Sequence, residues 1–167
     1  MSSILIAGIG NIFLGDDGFG CEVARRLSGR RIAKDVRVQD FGIRGLDLAF
    51  ALMDSHDATI LIDAMPGGGE PGTIYVLETE LDQISSEAAV VEAHTMDPIR
   101  VLALARSMGA ELKSVLIVGC EPETFGPPDE GLMGLSACVT EAVERAIEVV
   151  ESLVLKLRAV DAKGVTT

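Results

Sequence analysis

Positive charge is scarce in this chain. Fourteen Lys and Arg stand against 26 Asp and Glu, a formal net charge of -12 over 167 residues, with a pI near 4.5. No basic cluster exceeds a pair such as Arg30-Arg31, so a phosphate backbone is repelled and nucleic acid is set aside as a partner. Cysteine is sparse too. Cys21, Cys120 and Cys138 lie far apart and show no metal-ligand spacing, which reads as reduced thiols in a cytoplasm. The first residues carry no basic region and too short an apolar run for a secretory signal, and no run reaches the length of a membrane span. There are no internal repeats, no serine in a nucleophile-elbow context, and no convincing catalytic triad. Histidine is limited to His56 and His94.

What remains is the pattern of one α/β domain. Five short β-branched runs predict strands at about 4–7, 36–39, 58–62, 73–77 and 114–118. Helical patterns alternate with most of them. Phe19, Val23, Ala24 and Leu27 form one apolar face, and Leu46, Phe50 and Met53 another. Residues 99–105 predict a third helix, with Asp97 as N-cap, Pro98 at the first position and Gly109 past the end. The longest stripe runs from Val139 to Leu157, with Ser136 as its cap. Residues 1–158 are read as the domain and 159–167 as a frayed tail. A monomer is expected.

The alternation implies a three-layer α/β/α sandwich with a mostly parallel five-stranded sheet. One link, "AMPGGGEPG", is too short for a crossover helix, so the fourth strand is expected to run antiparallel to its neighbour. Ligands of such sheets bind beyond the carboxyl ends of the strands, where strand order reverses. If the first strand is flanked by the second and third, that crevice receives "GIGNIFLGDD" and "LIDAMPGGG".

The opening loop allows three readings. Gly8 and Gly10 match the first two places of a dinucleotide fingerprint, with Asp40 as a ribose-binding acid, but the third glycine place holds Phe13. Asp16 and Asp17 also stand where a pyrophosphate would need bare N–H groups. The second reading makes one aspartate a helix cap and leaves the other free. The third is cation binding, in which Asp17 and Asp63 face one crevice and an imidazole completes the set. His56 stands before the third strand, at the wrong end of the sheet, and reads as a solvated loop residue. His94 lies in the loop leading to Asp97, from which it can fold over the crevice. The glycine-rich "PGGGEPG" is either a flexible rim or a tight connection needing positive φ.

Taken together, "GIGNIFLGDDGFG", "LIDAMPGG", "EAHTMDP" and "VGCEPE", in this order and spacing, resemble the [NiFe]-hydrogenase maturation endopeptidases. The resemblance spans residues 4 to about 147. It implies removal of a C-terminal extension from a hydrogenase large-subunit precursor once nickel is inserted. It also implies a twisted five-stranded sheet with helices on both sides. The family's metal-contacting positions fall on Asp17, Asp63 and His94, the residues taken as catalytic together with Asp16 as a helper or general base. Asp40 and Gly42 fall in the family's substrate-binding segment. The implied metal is nickel carried by the substrate, with no nucleotide and no membrane. Two departures stand out. The first-loop acid is Asp17 where the family more often has Glu, and the segment after the second strand reads "DFGIRG" in place of D-G-G-T, which points to a change in the large subunit accepted. Cys120 is an extra thiol, read as a small buried residue; a Cys120–His94 pair is the rival protease site. Two other functions compete: a module that binds nickel or the large subunit without cutting, and a nucleotide-dependent enzyme using Gly8 and Gly10.

Overall fold

The computed structural model describes residues 3–84 and 97–164. Five strands form one sheet: β1 (Ile4–Ile9), β2 (Val36–Gly42), β3 (Ala58–Ala64), β4 (Ile74–Glu78) and β5 (Ser114–Cys120), in the order β2-β1-β3-β5-β4. All neighbours are parallel except β4, which runs antiparallel to β5. The short glycine-rich link thus reverses the chain as expected, but carries β4 past β3's neighbour to the far side of β5.

Strand residues alternate between two apolar layers, as a doubly covered sheet requires. Ile4, Ile6, Ile60, Ile62 and Val118 face α1 (Phe19–Ser28) and α4 (Ala137–Lys163). Leu5, Ala7, Ile9, Leu61 and Ile117 face α2 (Gly45–Leu52) and α3 (Pro98–Ser107). Helix α1 approaches the sheet closely because its second residue is glycine: a Cβ on Gly20 would collide with the carbonyls of Ile62 and Ile9. Asp97 caps α3 by accepting from the Ile99 N–H (2.9 Å), with Pro98 at the first turn and Gly109 beyond at φ +100°.

Three expectations need correction. On α2 the buried residues are Leu48, Ala49, Ala51 and Leu52, while Leu46, Phe50 and Met53 are exposed. The helix is apolar on both faces, so periodicity alone could not choose; docking against α3 does. The chain after Leu157 does not fray at once, because α4 continues to Lys163 and Arg158 pairs with Asp35 (3.3 Å). His56 is half-buried rather than solvated: its Nε2 donates to the Ala51 carbonyl (3.1 Å), leaving Nδ1 to accept from the Ser3 hydroxyl (3.1 Å). None of the helices among the described residues is long and apolar enough to cross a membrane.

Candidate functional site

The carboxyl ends of β1 and β3 open side by side. The backbone leaves β1 through Gly10, whose N–H donates to the Gly42 carbonyl (3.0 Å). It then makes a 3-10 turn over Gly15–Gly18 before entering α1. That turn holds both aspartates, and neither caps α1; the residue before the helix is Gly18, with no side-chain cap.

The two carboxylates have opposite surroundings. Asp16 is fully buried. Its Oδ2 accepts from the backbone of Glu123 (2.8 Å) and Thr124 (3.1 Å) and from the Ser136 hydroxyl (2.9 Å), while Oδ1 accepts from the Ser136 N–H (2.7 Å). It pins the first loop to the segment between β5 and α4. A general base needs an open lone pair and access to water; Asp16 is an anchor, not the helper that its place in the sequence suggested. Ser136 stands at the N-cap position of α4 but gives its hydroxyl to Asp16 rather than to the helix.

Asp17 is half-buried and, among the described residues, accepts a single backbone bond, from Asn11 (2.8 Å). Burial raises its pKa above the usual carboxylate value, against the pull of that bond. Asp63 lies opposite Gly119 near the end of β3 and is almost fully buried. Burial first, then the charge of Asp17, pushes its pKa up to about 8; Asp97 adds to the rise. Among the described residues Asp17 accepts from Asn11 and Asp63 from the backbone of Ala64, and the two carboxylates are close enough to repel each other. Like charges held together in a dry crevice are stabilised by a cation between them.

The third expected ligand, His94, lies outside the described residues. Among the described residues no three His, Cys, Asp or Glu gather as a metal-holding group, so Asp17 and Asp63 are an incomplete pair by themselves.

Asp40 and Gly42 shape the base of the opening loop. Asp40 accepts from the Gly42 N–H (2.9 Å), and Gly42 sits at φ +55°, a conformation that favours glycine. Cys120 is fully buried, donates weakly to the Glu121 carbonyl (3.7 Å), and has its pKa pushed up to about 12 by burial. That is the environment of an inert thiol, not a nucleophile. The residue that sequence reasoning missed is its neighbour, Glu121. Its carboxylate accepts from Gly67 (2.6 Å), Gly68 (3.3 Å) and the Tyr75 hydroxyl (2.9 Å), fixing the glycine-rich link beside Asp63. Gly68 and Gly72 take φ of +83° and +90° there, so the link is a tight connection rather than a loose rim. An acid directly after the last strand was the available signal.

Comparison with known proteins identifies the fold and the family. Residues 21–153 match the family model described as hydrogenase maturation protease. A putative hydrogenase maturation protease of Methanocaldococcus jannaschii is 36% identical over 149 residues, covering 88% of this chain and 93% of that protein. The solved hydrogenase maturating endopeptidase HybD from E. coli superposes with a TM-score of 0.72 at 29% identity, over 93% of each chain. The [NiFe] hydrogenase maturation protease HycI from Thermococcus kodakarensis gives 0.64 at 26% identity, over 89% of this chain and 90% of that one. The family-model match over residues 21–153 and the 36% identity over 88% of the chain show that this protein belongs to the hydrogenase maturation protease family.

Proposed function

We propose that this endopeptidase removes the C-terminal extension of a [NiFe]-hydrogenase large-subunit precursor after nickel insertion, and that it recognises the nickel carried by that substrate through Asp17, Asp63 and His94. The observation that carries the reading is the Asp17–Asp63 pair. Burial and mutual repulsion make two anions costly there, and a cation delivered by the substrate relieves both terms. His94 enters the proposal as the imidazole that the resemblance assigns to the third ligand position.

In this account the two carboxylates form the fixed side of the site. Asp17 is positioned by the Asn11 N–H, and its turn is anchored through Asp16. Asp63 is held by β3 between two paired strands. Because Asp63 keeps its proton up to about pH 8 when no cation is near, docking of the substrate's nickel expels that proton, and docking tightens as pH rises toward that value. A nickel ion held between substrate and protein can polarise the neighbouring carbonyl or acidify a water. A precursor without nickel presents nothing for the acid pair to close on, which ties cleavage to metal insertion.

The test is mass spectrometry of a large-subunit precursor, with and without nickel, after incubation with the protein. Loss of a C-terminal peptide from the nickel-loaded form alone is expected. An intact nickel-loaded precursor that nonetheless binds would identify a non-cutting binding module. Equal cleavage of both forms would end the nickel-reading account.

A further inference from the structure

At the opposite end of the sheet from the acid pair, the starts of β1 and β3 bring together side chains that the peptidase site does not use. Ile4 and Ala58 pair in register, so Ser3, just before β1, stands beside His56 and Asp57, just before β3. The Ser3 hydroxyl lies 3.1 Å from His56 Nδ1. His56 Nε2 lies 3.1 Å from the Ala51 carbonyl, in the last turn of α2. A carbonyl can only accept, so the neutral ring carries its proton on Nε2 and turns the Nδ1 lone pair toward the hydroxyl. The result is a nucleophile, a base within hydrogen-bond reach, and a third group that orients the base.

The hydroxyl is not what ties the chain start down. The Ser3 N–H donates to Asp57 Oδ2 (2.9 Å), and the Ser3 carbonyl accepts from the N–H groups of Asp57 (2.8 Å) and Ala58 (3.3 Å). Lys113 Nζ holds the other Asp57 oxygen (2.8 Å). Three backbone bonds and an ion pair fix this corner, and the hydroxyl–imidazole contact is added to them. Ser3 and His56 are both only half-buried, so the pair is open to a small molecule.

The corner has the nucleophile and base of a hydrolase without its usual means of stabilising an oxyanion. The N–H groups of Ser3, Ile4, Asp57 and Ala58 are all engaged, and each oxyanion donor is worth about 10²–10³ in rate. Attack is therefore limited to donors with a good leaving group, and the product is not turned over.

We propose that Ser3, with His56 as its base, is an acyl-accepting site that takes a single acyl group from an activated ester or thioester. Ser3 Oγ forms a bond to the acyl carbon, and the bond from that carbon to the leaving oxygen or sulfur breaks. The hydroxyl proton passes to His56 Nδ1 and from there to the departing group. The inference is independent of the nickel reading, and neither outcome below touches that reading.

The experiment treats the full-length protein with p-nitrophenyl acetate and follows acetylation of each serine by peptide mass spectrometry. Ser107 is the internal reference, an exposed serine whose hydroxyl donates to the Leu104 carbonyl (2.7 Å) and meets no imidazole there. Ser3 should react at least about a hundredfold faster than Ser107, the lower end of what a positioned base contributes. His56→Gln, with folding checked by urea unfolding, should bring Ser3 down to the Ser107 rate. Ser3-dependent release of p-nitrophenolate should stop at one equivalent. Equal rates at Ser3 and Ser107 in the unmodified protein would overturn the proposal, and that comparison needs no variant to fold. Fast acetylation of Ser3 that survives in folded His56→Gln would also overturn it, because the base would lie elsewhere. Continued Ser3-dependent release would overturn the limit to a single transfer.

Discussion

Asp16 and Asp17 are adjacent in the chain and opposite in duty. Asp16 is sealed in a corner where backbone and hydroxyl donors take up both oxygens. Asp17 has one donor among the described residues and another carboxylate for a neighbour. The first arrangement satisfies a charge completely and so stabilises a loop junction. The second puts two carboxylates in one crevice, at a cost in stability, and on that repulsion the proposed reading of a cation rests. One turn of chain divides the structural corner from the functional one.

The contrast is broken most severely at Asp63. Asp63→Asn should lower cleavage of a nickel-loaded precursor by more than about a hundredfold, beyond what losing even a ligand's supporting partner costs. The same variant should be more stable than the unmodified protein at pH 8, because it removes a buried charge. Kinetics and urea unfolding on one preparation check both halves. Asp16→Ala should do the reverse to the fold. It strands four donors, so a loss of about 3 kcal/mol is expected, a fall in Tm of roughly 6–12 °C for a chain of this size. Asp16→Asn keeps one acceptor oxygen and should lose less. An Asp16→Asn protein that is fully stable but cannot cut would return Asp16 to the reaction.

The acid pair also has a pH signature. Asp63 has a folded pKa of about 8 against an ordinary value of 3.8. Between these limits the folded state holds a proton that the unfolded state has released. Its contribution is therefore undiminished below about pH 4 and is lost as pH rises through 8, at up to about 1.4 kcal/mol per pH unit. Unfolding of the metal-free protein across that range should show the slope, and Asp63→Asn should flatten it. The smallest effect expected is that of Asp17→Glu. One more methylene on the exposed side of the turn should be accommodated with less than about a tenfold change in cleavage, whereas Asp17→Asn should approach Asp63→Asn.

Most of the scaffold was legible because it obeys period and punctuation. The cap at Asp97, Pro98 and Gly109 needed only local chemistry, and the α1 and α4 stripes needed only spacing. Four of the five strands were read short, and always at the same end. β1, β2, β3 and β5 each continue beyond the apolar run, through Ile9, Gly42, Ala64 and Cys120. The added residues include Gly8, Asp40, Asp63 and Gly119, which look like strand breakers; Gly8 makes room for α1, Gly119 makes room for Met65, and Asp63 faces the crevice. Asp17 and Asp63 could be proposed from their places at strand ends. The role of Asp16 could not, since its partners Glu123 and Ser136 stand 107 and 120 positions away. The α2 face was misread for a different reason: a helix apolar all round carries no sequence signal for which side goes in.

The most direct test of the account is the ligand environment of nickel in the precursor, measured by X-ray absorption before and after the protein is added. Carboxylate oxygen and imidazole nitrogen ligands should appear on binding of the unmodified protein, and the oxygen contribution should fall with Asp63→Asn. A nickel spectrum unchanged by a protein that binds and cuts the precursor would show that Asp17 and Asp63 do not read the metal.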